Sequence, residues 1–202
     1  MLLLSAVSLL ASTGVYLHTT WRGKFQVWTT LLDELDLRGD EEVLDLGCGR
    51  GAVLVAAADR LPRGRATGVD LWRSVDQSGN TPDATLANAG DLADRIELQT
   101  ADLTALPFPD HSFDVVLSAL AIHNIASPDQ RHQAVDEAAR VLRPNGRLVL
   151  VDILHTDDYA HMLTDLGLID VRHRRLGWRY WYGGPWMAAR LVTATATTQE
   201  PT

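Results

Sequence analysis

Val43-Leu44-Asp45-Leu46-Gly47-Cys48-Gly49-Arg50-Gly51 reads as a buried strand that breaks into a glycine loop, and the alanine-rich run from Ala52 re-enters as a helix. A tight turn beside a strand end needs residues without side chains, so that backbone can approach a ligand closely. The acid sets this loop apart. Asp45 sits two residues before the first glycine, where a dinucleotide would bring its pyrophosphate and a carboxylate would repel it. A cationic ligand carrying an ammonium or a sulfonium would be attracted instead. The glycines agree, being spaced G-x-G-x-G where the dinucleotide fingerprint asks for G-x-G-x-x-G.

Outward from this loop the chain alternates strands and helices. Apolar residues recur at helical spacing from Trp28 to Leu37, and Gly39 closes that helix. Strands are expected at Val43–Leu46, Ala66–Asp70, Ile96–Thr100, Phe113–Ala119, Arg147–Ile153, Ile169–Leu176 and Ala188–Ala196. Helices are expected at Ala52–Leu61, Asp83–Leu92, Pro128 to about Leu142 and Asp157–Leu166. Pro144-Asn145-Gly146 is read as the stop after the third of these, and Trp72 to Thr81, including Asp76, Gln77 and Asn80, as a polar loop. Such alternation predicts an α/β fold: a Rossmann-like, doubly wound, seven-stranded sheet, mostly parallel, with one antiparallel carboxy-terminal strand.

At 202 residues the chain suits one domain over residues 21–196, preceded by an apolar segment (1–20) and followed by a disordered tail (197–202). The net charge of −8 argues against a nucleic-acid partner. Arg172, His173, Arg174 and Arg175 form a local basic cluster, read as a solvated strand end. No charged residue precedes Arg22, yet the apolar run is short for a spanning helix and lacks the basic start of a secretory signal. Two readings stand for it, a membrane contact or a lid helix over the site. If it enters a membrane, Arg22 and Lys24 hold the domain on the cytoplasmic face. The expected location is therefore cytoplasmic, with or without membrane attachment.

In open parallel sheets ligands bind beyond the carboxyl ends of the strands, so acids placed there carry functional meaning. Asp70 ends the second strand and suits ribose hydroxyls; Asp102, in Thr100-Ala101-Asp102-Leu103, suits an exocyclic amine. Leu71 and Leu103 offer apolar faces to a ring. Cys48 reads as packing, since nothing basic is placed to activate a thiolate.

The glycine loop resembles motif I of class I S-adenosylmethionine-dependent methyltransferases. Phe113-Asp114-Val115-Val116 with Ser118 resembles the fourth motif, and Arg140-Val141-Leu142-Arg143-Pro144-Asn145-Gly146-Arg147-Leu148 the sixth. Five motifs occur in order between Gly39 and Ile153, most similar to the ubiquinone and menaquinone C-methyltransferases. The resemblance implies S-adenosylmethionine as cosubstrate, with Asp45, Gly47, Cys48 and Gly49 at its amino-acid end. Asp70 takes the ribose, Leu71, Ala101, Asp102 and Leu103 the adenine, and Ser118 lies nearby. It also implies a small-molecule or lipid-like methyl acceptor. An NAD-type Rossmann enzyme, or a binding module without turnover, remains the alternative.

His123, just past the fourth strand, is the candidate general base, with a brace for the next helix as its other reading. Asp152 and His155 lack a third ligand at sensible spacing, so no metal is expected. His132, His161 and His173 are read as solvated. Trp178, Tyr180, Trp181, Tyr182 and Trp186 are expected to pack on Tyr16, Trp21, Phe25 and Trp28 of the amino terminus.

Overall fold

The computed structural model describes residues 2–75 and 78–198; the side chains of residues 2–4 are not described. Asp76 and Gln77 of the polar loop and the last four tail residues lie outside the described residues. The helices are α1 (Leu2–His18), α2 (Lys24–Glu34), α3 (Ala52–Ala58), α4 (Pro82–Ala89), α5 (Pro128–Arg140) and α6 (Thr156–Asp165). The strands are β1 (Glu42–Leu46), β2 (Arg65–Asp70), β3 (Ile96–Thr100), β4 (Phe113–Ala119), β5 (Leu142–Asp152), β6 (Ile169–Arg175) and β7 (Arg190–Thr195).

The strands form one sheet in the order β3-β2-β1-β4-β5-β7-β6. β1 pairs in parallel with β2 and with β4, whereas β7 runs antiparallel to both β5 and β6. Strand order therefore reverses at β1, and the crevice for a ligand opens beyond the carboxyl ends of β1 and β4. Alternating side chains build one apolar layer on each face. Val43, Val115 and Leu117 join α2 and α3, while Leu44, Leu46 and Val116 join α5 and α6. Two helices start where a hydroxyl caps and a proline follows: Thr81 accepts from the Ala84 amide at 3.1 Å, and Ser127 from that of Gln130 at 3.5 Å.

The structure departs from the sequence reading in three places. The helix expected from Trp28 starts earlier: α1 continues through a π-helical turn (Thr19–Gly23) into α2 without leaving helical backbone. Gly23 lets this turn pack directly on the 178–180 segment, because a Cβ there would collide with the Arg179 carbonyl. Pro144-Asn145-Gly146 does not separate a helix from a strand but lies inside β5. Phe113 faces Leu142 while Val115 faces Arg147, so the turn is absorbed as a bulge, with the Asn145 amide bonded to Ala196 O at 3.0 Å. The tail expected to be disordered from residue 197 is tied at Thr198, whose hydroxyl bonds Asn145 at 3.0 Å.

Candidate active site

The first loop is held by the neighbouring strand. The amides of Gly47 and Cys48 both donate to Val69 O, at 2.8 and 3.1 Å, which turns the chain sharply at the end of β1. Gly47 adopts φ +69°, and a Cβ on it would strike Ala121 beyond β4. Glycine is thus required at that position by backbone angle and by space together. α4 supports the loop from outside, Thr85 donating to Gly49 O at 2.7 Å and Asn88 to Arg50 O at 3.0 Å. Cys48 packs on Gly68, and burial with the nearby carboxylates of Asp45 and Asp70 pushes its thiol up, away from thiolate chemistry.

A cavity of about 1170 Å³ opens here. Asp45, Gly47, Cys48, Gly49, Asp70, Leu71, Ala101, Asp102 and Leu103 all line it, so nine of the ten expected cosubstrate residues meet in one space. Ser118 does not. It is buried on β4 and donates to Leu46 O at 3.1 Å, stitching β4 to β1 beneath the loop.

Asp45 is 1% exposed, and neither carboxylate oxygen has a hydrogen-bond partner among the described residues. Burial pushes its pKa up to about 8, reinforced by Asp70 and only partly offset by the Leu54 amide, which comes near without completing a hydrogen bond. An unpartnered carboxylate inside a cavity calls for a cation. Asp70 is already engaged. Its Oδ2 accepts from the Gly49 amide at 2.9 Å, and its Oδ1 from the Trp72 amide at 2.7 Å and Asn80 Nδ2 at 3.1 Å. A carboxylate offers about four lone-pair sites, so roughly one remains for a ligand hydroxyl. Asn80 supplies the second acceptor: it is 5% exposed, lines the cavity, and its Oδ1 is buried without a partner among the described residues. Asp102 binds the Thr104 amide and hydroxyl through Oδ1, at 3.0 and 2.8 Å.

His123 is not in the cavity wall. It sits on a short 3₁₀ turn (Ile122–Asn124), its amide donating to Asp152 Oδ2 at 3.0 Å. Its Nδ1 lies 2.5 Å from Asp152 Oδ1, close but out of line for a well-formed hydrogen bond. These contacts tie the ends of β4 and β5 together and favour the reading of His123 as a brace. His123→Ala should then lower thermal stability by about 1–3 kcal/mol and leave S-adenosylhomocysteine affinity within about threefold. Turnover lowered by about 10²-fold at unchanged affinity would restore the base. His173, read from sequence as solvated and without partners, lies 3.0 Å from the Thr156 hydroxyl and 3.1 Å from Asp157.

Residues near both termini complete the lining: Tyr16, Thr20, Lys24, Phe25 and Trp28 from one end of the chain, Tyr180 and Tyr182 from the other. Trp28 Nε1 donates to the Tyr180 hydroxyl at 3.1 Å, Thr19 to Trp181 O at 2.6 Å, and the rings of Tyr16 and Tyr182 meet edge-on at 6.0 Å. Burial, then the charge of Arg50, lowers the pKa of Lys24. Sequence reasoning placed Asn80 only in a loop and passed over Leu120 and Lys24. Leu120 lines the cavity with a left-handed backbone, φ +58°, fixed by its amide bond to Val151 O at 2.8 Å. Nothing in a leucine signals that strain in advance.

The chain belongs to the methyltransferase domain family, whose model matches residues 44–150. It is 38% identical over 133 residues to 27-O-demethylrifamycin SV methyltransferase of Amycolatopsis mediterranei (strain S699), covering 65% of this chain and 45% of that protein. It is 37% identical over 132 residues to the ubiquinone/menaquinone biosynthesis C-methyltransferase UbiE of Paracoccus denitrificans (strain Pd 1222), covering 64% and 50% respectively. The chain thus spans about half the length of these relatives. The fold matches that of Burkholderia thailandensis 1,6-didemethyltoxoflavin-N1-methyltransferase, solved with 1,6-didemethyltoxoflavin and S-adenosylhomocysteine. There the TM-score is 0.68 at 19% identity, covering 96% of this chain and 89% of that one. Among the described residues no group of three or more His, Cys, Asp or Glu side chains is arranged to hold a metal ion.

Proposed function

We propose that this protein binds S-adenosylmethionine and transfers its methyl group to a small, apolar or lipid-like acceptor. The observation that carries the reading is Asp45, a buried carboxylate with no partner among the described residues, in a cavity built by a family-type glycine loop. When bound, S-adenosylmethionine supplies an electrophilic methyl group on a sulfonium. Asp45 receives the ammonium of its amino-acid end, and Gly47 keeps the loop out of the way. Asp70 and Asn80 divide the ribose hydroxyls between them, while Leu71 and Leu103 cover the adenine and Asp102 accepts from its amine.

Methyl transfer is an in-line displacement that depends on positioning and exclusion of water. Tyr16, Phe25, Trp28, Tyr180 and Tyr182 form an acceptor chamber that does both. The relatives' acceptors, named for a rifamycin and for quinone biosynthesis, support an apolar small molecule here. On this reading the domain works on the cytoplasmic face of a membrane that its apolar first segment touches.

Incubation with S-adenosylmethionine and a panel of apolar phenols and quinols should release S-adenosylhomocysteine in an acceptor-dependent manner. Binding without release over the whole panel would favour a module that has lost turnover. Asn80→Ala should weaken S-adenosylhomocysteine by about tenfold, the scale of one hydrogen bond, as read by calorimetry. Unchanged affinity would remove Asn80 from the ribose site.

A further inference from the structure

α1 carries no Asp, Glu, Lys or Arg on any face, and its one basic side chain is His18 in the last turn. The aromatic segment 178–187 grips the second half of α1. Gly183 approaches Ser12, Tyr182 meets Tyr16, and the His18 and Trp178 rings stack at 4.7 Å. From Ser5 to Ala11 the helix surface is exposed, with Leu9 and Leu10 at 70% and 72%. At about 100° per residue, Val7 and Leu10 lie about 60° apart on one side, Leu9 lies about 100° beyond Leu10, and Ser5 and Ser8 take the remaining face without a charge. The exposed apolar arc is wider than the single stripe with which a helix docks on one protein partner, and it suits a surrounding apolar medium.

The base of α1 has the chemistry of a bilayer interface. Trp21 and Trp178 are exposed there, at 69% and 49%, and Trp186, from the segment that contacts α1, is exposed at 72%. Arg174, Arg175 and Arg179 line a groove beside α2, and Gly23, next to Arg22, packs on the Arg179 backbone. Arg174 pairs with Glu34, but among the described residues Arg22, Arg175 and Arg179 have no carboxylate partner. In a chain of net charge −8, such an unneutralised basic group beside exposed tryptophans is complementary to anionic headgroups.

We propose that α1 enters one leaflet of an anionic lipid bilayer, with Trp21, Trp178 and Trp186 at the interface and Arg22, Arg175 and Arg179 on the headgroups. Leu2 to Ala11 rises about 15 Å, half of a hydrocarbon core about 30 Å thick. This agrees with the absence, among the described residues, of any helix long and apolar enough to cross a membrane. Tyr16, Thr20 and Phe25 line the cavity at this same base. The consequence for the reaction, which rests on the methyltransferase reading, is that the acceptor enters from the lipid phase.

Co-sedimentation of the full chain with phosphatidylcholine vesicles, with and without phosphatidylglycerol, tests the docking. Calorimetry with S-adenosylhomocysteine on the same preparations tests the site separately. The wild-type chain should pellet with the anionic vesicles, less at high salt. Arg175→Gln with Arg179→Gln should weaken that binding about 25-fold, at about 1 kcal/mol per arginine. Leu9→Asp with Leu10→Asp should abolish it, and both variants should keep wild-type affinity for S-adenosylhomocysteine. Docking is overturned if the wild-type chain stays in the supernatant, if the arginine variant binds as wild type, or if α1 forms a dimer that ignores vesicles. Vesicle binding without S-adenosylhomocysteine binding would sink the site reading and leave the docking intact.

Discussion

Asp45→Asn is expected to weaken S-adenosylhomocysteine binding by about 10²–10³-fold, the cost of breaking a buried charge pair. It should also raise the melting temperature of the ligand-free chain at pH 8. The two effects share one cause. In the folded chain the Asp45 carboxyl is pushed up to about 8, from the usual 3.8. An acid raised in this way holds its proton longer folded than unfolded. Its favourable contribution is full below about pH 4 and is lost as pH climbs toward 8. The substitution removes that loss and, with it, the anion that meets the ligand's ammonium. Affinity of the wild-type chain should accordingly rise between pH 6 and pH 8, by up to about tenfold per unit, because binding requires the ionised form. A variant that bound within threefold of wild type, or a flat pH profile, would remove Asp45 from the site.

Asp70→Ala should be damaging in a different way. Its carboxylate gathers the amides of Gly49 and Trp72 and the Asn80 side chain, so it shapes the pocket before any ligand arrives. Removing it strands three donors at about 1–3 kcal/mol for each one left buried. Both the melting temperature and S-adenosylhomocysteine affinity should fall, the latter by at least about 10²-fold. Thus Asp45→Asn separates affinity from stability, whereas Asp70→Ala couples them. A variant as stable as wild type would contradict the scaffold role of Asp70. Retained affinity would contradict its ribose role.

What was legible in the sequence was what local chemistry determines. Phe113–Ala119 is apolar apart from Asp114 and Ser118 because β4 is buried on both faces, and both its ends were read correctly. Asp45 and Asp70 were visible because acids at strand ends conflict with an apolar strand pattern. The start of β5 was not visible, since Pro144-Asn145-Gly146 is ordinarily turn chemistry and only pairing with Ala196 makes it a bulge. His123 is placed near the site by the backbone, but the partner of its amide and its ring, Asp152, lies 29 residues away in sequence. Asn80 was hidden for a similar reason. Its orphaned Oδ1 exists only once Asp70 has taken the other end of the amide.

The loop from Asp45 to Gly51 makes the central claim, that this cavity is built for a cationic sulfonium cosubstrate and not for a dinucleotide. Isothermal calorimetry of the full chain with S-adenosylhomocysteine and, in parallel, with NAD tests it most directly. The account predicts micromolar binding of S-adenosylhomocysteine, lost in Asp45→Asn, and no heat with NAD. Binding of NAD with no response to S-adenosylhomocysteine would contradict it.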